Sequence, residues 1–236
     1  MGNITKKTVV IFSCMAVCHG ALAAEYRMWT DKKGNSIEAE LVCESAGKIV
    51  IRDRQGKLRK LAPEKLSAVD QKYLRTAFPP KVEIVFSKKQ KRTKNDGYWA
   101  WVDMECEIAI KKKSRMPYDG TLTAMLLVVG RDDNQNDYIL LDKVEATFGF
   151  AKSKSFLLKG NHFRMREYNG YYSSNDGGTK YVGYLAVVLD KDGNVVGVKA
   201  SRKEFSEKCK MMLKIKKGAH FNKDMRVRDD SSKSYY

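Results

Sequence analysis

The chain has 236 residues, with 45 Lys and Arg against 28 Asp and Glu, giving a formal net charge of +17 and a pI near 9.6. Its 43% hydrophobic and 31% charged residues exclude a disordered chain, and its 4 prolines and 17 glycines exclude collagen-like and low-complexity classes. The length allows one large domain or two small ones, and nothing in the composition names a chemistry.

Lys6 and Lys7 precede an apolar run over residues 8–17, and Ala21, Leu22 and Ala23 then form a small-x-small step. That order predicts a signal peptide over residues 1–24, removed after Ala23 or Ala24, and export from a bacterial cell to the periplasm or beyond. The run is shorter than the ~20 residues a membrane-spanning helix needs, and no second candidate follows. The residues before Cys14 and Cys18 do not form the small-residue step that precedes a lipidated cysteine, so no anchor is expected. Cleavage would remove two lysines and no acid, leaving +15 on 212 residues. Outside the cytosol this charge points to anionic envelope polymers, lipid headgroups or an acidic partner, and not to nucleic acid.

Residues 25–78 read as a small β-barrel. Asp31 to Asn35 form a turn, and residues 36–42 alternate with Ile37, Ala39 and Leu41 on one face. Residues 48–52 are a short β-branched strand, and Asp53, Arg54, Gln55 and Gly56 turn the chain into residues 57–61. Ser67 and Asp70 then form a capping box for a helix carrying Val69, Tyr73 and Leu74. About 54 residues make a marginal core, so this unit is expected to lean on its neighbour.

Arg27, Met28, Trp29, Thr30 and Asp31, then Gly34, then the strand from Ile37 to Leu41, open a pattern. It continues through Val50, Ile51, Arg52, Gly56, Lys57, Leu66, Ser67, Asp70, Tyr73 and Leu74. This pattern resembles the SLA homology domain over roughly residues 25–76, about a quarter of the chain. The resemblance implies an SH3-like fold and a peptide- or protein-binding role. In eukaryotic endocytic adaptors the ligand is an Asn-Pro-Phe peptide, and exported bacterial proteins carry similar domains. No binding residue transfers, because the matching positions are turns and core. Trp29 is open to two roles, ligand platform or apolar anchor.

Pro79 and Pro80 end the helical pattern and mark the boundary. Strand-like runs follow at 81–86, 99–110, 121–129, 138–150, 155–168, 181–189 and 195–200, spaced as in an antiparallel β-sandwich. Residues 181–189 are apolar on both faces and read as a central strand. Ser201 and Glu204 read as a second capping box, opening a helix with Phe205, Cys209, Met212 and Leu213 on its apolar stripe. Residues 223–236 read as a polar tail. The fold expected is therefore mainly β: a small SH3-like barrel, then an antiparallel sandwich with one C-terminal helix.

Chemistry-bearing patterns are sparse. Cys43, Cys106 and Cys209 form no CxxC pair and have only His162 and His220 beside them, so no metal or other cofactor is expected. Cys43 and Cys209 read as small buried hydrophobes, while a Cys106–Cys209 disulfide stays open. Asp190, Asp192 and Asn194 read as a hairpin turn, and residues 132–137 as a solvated acidic loop. No nucleophile motif or phosphate loop occurs, so no catalytic residue is assigned. His162 could serve a hydrolase only if it met carboxylates in a cleft. Two basic clusters, 88–94 and 111–115, flank the 99–110 strand; the first is expected at a hairpin tip. Tyr98, Trp99 and Trp101 with Lys91 and Arg92, and Tyr171 and Tyr172 in a separate loop, are the stacking and cationic candidates, alongside Trp29. The reading is an exported binding protein with a peptide or protein partner; binding of an anionic envelope polymer is the alternative.

Overall fold

A computed structural model describes residues 25–95, 99–132, 137–151, 153–168 and 178–228. The predicted leader lies outside them, as do Tyr98, Tyr171 and Tyr172.

The protein is mainly β. β1 (Tyr26–Thr30), β2 (Ser36–Ser45), β3 (Lys48–Asp53) and β4 (Leu58–Leu61) form an antiparallel sheet in that order. Alternation buries Trp29, Ala39, Ile49 and Ile51 on one face, together with Leu66 and Leu74. A register slip between Leu41 and Cys43 pairs Cys43 with Val50. Cys43 thereby leaves the face of Ile49 and Ile51 and becomes exposed, contrary to its expected burial. A single 3₁₀ turn (Pro63–Lys65) follows, and Asp31 then bridges to Leu66, bringing the chain back beside the end of β1.

Ser67 caps α1 (Ala68–Ala77) by accepting from the Asp70 amide at 3.2 Å. The helix buries Asp70 and Leu74, four residues apart, and leaves Val69 74% exposed instead of packed. The small core also takes Met116 from beyond the double proline, and the Asp119 amide donates to the Arg75 carbonyl at 2.8 Å. The unit therefore leans on its neighbour.

The second unit has two sheets. β5 (Val82–Asn95) pairs with β6 (Trp99–Lys112), whose other edge takes β9 (Ser155–Lys159) and β10 (Phe163–Tyr168). The facing sheet orders β12 (Val195–Ala200), β11 (Thr179–Leu189), β7 (Leu122–Asp132), β8 (Asp137–Phe148) and β13 (His220–Phe221). Val102, Met104, Cys106, Ile108 and Ile110 of β6 pack against Leu126 and Val128 of β7 and Ala186 and Val188 of β11. β7 and β11 are also apolar on the far face, where Leu127 and Val187 meet Phe205, Cys209 and Met212 from α2 (Lys203–Glu207) and α3 (Cys209–Met212). The sandwich therefore carries an added helical layer.

Five further expectations need correction. The cluster at 88–94 is not a hairpin tip; it lies within β5, paired to β6 along its length. The 155–168 run breaks into two strands around Gly160, whose amide donates to the Cys106 carbonyl at 2.7 Å. Ser201 does not cap α2: Arg202 stands at the cap, and the Ser201 hydroxyl accepts from the Tyr184 amide of β11 at 2.9 Å. A Cys106–Cys209 bridge is ruled out, since the two free thiols lie on opposite faces of the β7–β11 sheet. The start of the predicted tail is packed, with Met225 only 4% exposed against Phe221 and its neighbours.

Candidate functional site

Three places on the surface combine chemistry with shape. The first is a groove of about 610 Å³ on the N-terminal unit. Its lip is the β1–β2 turn, where the Asp31 carboxylate accepts from the Lys33 and Asn35 amides at 2.8 and 2.9 Å. Gly34 takes the left-handed backbone (φ +88°) that closes this turn. The Asn35 side-chain amide also donates to Asp31 and, more than any other contact, holds its pKa below the usual carboxylate range.

Trp29, Ile37, Leu61 and Leu66 supply the apolar lining. Trp29 is 1% exposed and donates its indole N–H to the Ala39 carbonyl at 3.0 Å. Tyr73 meets its ring edge-on at 5.8 Å, and the Arg27 guanidinium sits 4.7 Å from the ring centre. Arg27 is itself paired with buried Asp70, which also accepts from the Thr30 amide at 2.8 Å. Of the two roles open to Trp29, the structure places it as the core anchor, with no free stacking face.

Lys48, Arg59, Lys60 and Lys65 stand around the groove. Arg59 pairs with Asp53 at 3.4 Å. Among the described residues no carboxylate lies in ion-pairing range of Lys48, Lys60 or Lys65. The groove thus joins an apolar floor to uncompensated positive charge.

The second place is the outer face of the β5–β6–β10 sheet. Trp99 and Trp101 point outward and are half-buried. Arg166 of β10 lies 3.6 Å from the Trp99 ring centre, and Arg164 holds Asp103 through two hydrogen bonds of 2.7 and 3.1 Å. Lys91 shares this face, opposite Asp103. Arg92 is on the other face, opposite Val102, and pairs with Glu167 at 3.0 Å. The structure therefore gathers Trp99, Trp101 and Lys91, adds Arg164 and Arg166, and leaves out Arg92 and Trp29. Tyr98, Tyr171 and Tyr172 fall outside the described residues.

The third is a cleft of about 310 Å³ at the β9–β10 break, lined by Ser87, Glu105, Glu107, Gly160 and His162 among others. His162 Nε2 lies 3.3 Å from Asp103 Oδ1, a single carboxylate that stands outside the cleft lining and is already held by Arg164. The hydroxyl in the same cleft is already committed, because Ser87 donates to Glu107 at 2.9 Å. Nucleophilic catalysis needs the hydroxyl on the base, and the described contacts hold no such pair. Cys106 offers no thiolate either: burial, helped by Asp142, pushes its pKa up to about 12. Among the described residues no three metal-ligating side chains gather, and no helix is long and apolar enough to cross a membrane.

No family model matches the chain, and no curated protein matches it. A solved structure from Akkermansia muciniphila aligns over 61% of this chain and 81% of that chain, at 15% identity and a TM-score of 0.26. A likeness at that level carries no argument about fold or function.

Proposed function

We propose that the chain is an exported, non-catalytic binding protein. Its N-terminal unit acts as an SH3-like, SLA-homology-type module that recognises a peptide or partner protein. The sandwich is its scaffold or second binding surface. The observation that carries this reading is the groove on the small unit, where an apolar floor and cations without acidic partners share one concavity. The order β1 to β4, the 3₁₀ turn and the return of the chain beside β1 support the SH3-like assignment. The leader-like segment supports export.

Site-resolved photo-cross-linking in envelope extract tests it, with the probe placed at Lys60 in the groove or at Trp101 on the sandwich. A discrete protein adduct from position 60 is expected. Adducts from position 101 alone would move recognition to the sandwich and defeat the reading.

A second reading rests on His162, which lines the 310 Å³ cleft and lies 3.3 Å from Asp103 beside it: a hydrolase with an imidazole base. Its test is turnover of an ester or glycoside panel that His162→Gln abolishes; an inactive wild-type chain removes it.

A further inference from the structure

The groove has a direction as well as a charge. Four consecutive residues, Arg59, Lys60, Leu61 and Ala62, line it. Successive side chains of a strand point to opposite faces, so a cavity bordered by consecutive residues of β4 and by Ala62 just past its end reaches round the strand's edge. β4 is the edge of its sheet, and among the described residues no strand pairs with its outer side. An unpaired edge presents main-chain donors and acceptors at strand spacing to any extended segment laid beside it. Lys48, Lys60 and Lys65 border the same cavity without acidic partners, while Trp29, Ile37 and Leu61 give it an apolar floor.

Resting on the peptide-binding reading above, we propose that this groove takes an extended acidic peptide segment. Its main chain adds a strand to the β4 edge. One apolar side chain occupies the floor, and carboxylates on either side meet Lys48, Lys60 and Lys65. Charge complementarity selects this occupant over a basic or neutral segment. The apolar floor selects it over a sugar acid or polyphosphate, which would use the cations and leave the floor wet.

The lysines are exposed, so reversing them leaves the core untouched. The probe is a capped eight-residue peptide with a central Val-Phe-Val flanked by glutamates. Its comparators are the same peptide with glutamines, and polyglutamate. Binding is followed by amide NMR shifts on the full chain. The glutamate peptide is expected to shift residues 29–37 and 58–66, with the glutamine form about tenfold weaker for the loss of close charge pairs. Lys60→Glu with Lys65→Glu should weaken the glutamate peptide by about the same factor and favour a lysine-flanked version.

Equal binding of the glutamate and glutamine peptides in the groove would overturn the acidic class while leaving the peptide-binding reading intact. Polyglutamate binding as tightly as the apolar-centred peptide would overturn the role of the floor. Shifts confined to the sandwich, or none with any peptide, would defeat both proposals and leave the cations as guards of an exposed sheet edge.

Discussion

Gly183 and Ser201 provide a sharp test of how β11 is joined to the helical layer. A Cβ added at Gly183 would lie 2.0 Å from the Ser201 hydroxyl oxygen and 3.2 Å from the Phe205 ring. The hydroxyl would have to move, and it is the acceptor for the Tyr184 amide at 2.9 Å. Orphaning that amide costs about 1–3 kcal/mol, and crowding the fully buried Phe205 adds about 1 kcal/mol or more. Gly183→Ala is therefore expected to destabilise by about 2–4 kcal/mol, lowering Tm by on the order of 5–15 °C for a chain of this size. Ser201→Gly alone should cost about 1–2 kcal/mol by deleting the same bond. In the double variant the nearest clash is gone, so the two costs should fall short of their sum by about 1–2 kcal/mol. Were Ser201 a helix cap, as the Ser201–Glu204 spacing implies, Ser201→Gly would cost only a few tenths of a kcal/mol and would add independently. Urea unfolding of the four proteins, followed by tryptophan fluorescence, measures the coupling. Additivity within about 0.5 kcal/mol would refute the packing described for Ser201.

Three further outcomes follow from the interior. Asp142 is fully buried and accepts from Lys217 Nζ at 3.0 Å and from the Asn161 amide and side chain at 2.8 and 2.9 Å. Asp142→Ala should cost about 3 kcal/mol, the low end for a broken buried pair because half-exposed Lys217 can turn to water; a loss below about 1 kcal/mol in urea unfolding would contradict that burial. Maleimide labelling mapped by mass spectrometry should modify Cys43 in the native protein, and Cys106 and Cys209 only after unfolding, with no disulfide between them; native labelling of Cys106 would contradict its place in the core. The Cys106 thiol is pushed up from 9.0 to about 12 by burial and Asp142. Because the folded value lies above the unfolded one, its contribution is complete below pH 9.0 and fades as pH rises towards about 12. Cys106→Val should flatten the alkaline fall in the urea midpoint, leaving the part due to Cys209, Tyr118, Tyr181 and Tyr184, which burial shifts in the same direction; an unchanged pH profile would remove the thiol from the account.

Much of the fold was legible because local pattern and burial agree. The alternation of residues 99–110 divides β6 into an inward set of Met104, Cys106, Ile108 and Ile110 and an outward set that includes Trp99 and Trp101. The two-sided apolar character of residues 181–189 marks the central strand β11, and Ser67 caps α1 as its spacing implies. What escaped depends on partners distant in sequence. The Lys-rich stretch from Lys88 to Lys94 has weak strand propensity of its own; it extends because β6 pairs beside it, with Asp103 opposite Lys91 and Glu105 opposite Lys89. Arg164 and Arg166 alternate visibly in sequence, but only the register of β10 on β6 carries them to the tryptophans. Cys43 needed knowledge of a one-residue slip, which reverses a side chain's face. The groove was the least legible feature: residues such as Lys48, Lys60 and Lys65 belong to separate elements, and nothing local announces that they border one cavity.

The same register argument bears on what the high positive charge means. On the outer face of the sandwich, β6 places Asp103, Glu105 and Glu107 in a central file. Lys89 and Lys91 stand along one side of it, and Lys159 and Arg164 along the other. That face is a lattice of opposed charges, in which cations already have acids across the strand. A chain-wide excess of lysine therefore does not translate into a uniformly positive surface. Lys48, Lys60 and Lys65 in the groove face no acid across a strand, and they stand over buried apolar side chains, which the sandwich face lacks beneath its lysines. Long-range attraction from net charge falls away within about 8 Å at physiological ionic strength, whereas apolar burial does not weaken with added salt. Under the binding function proposed above, selective recognition is better served by the small concavity on the N-terminal unit than by the larger and more highly charged sandwich face.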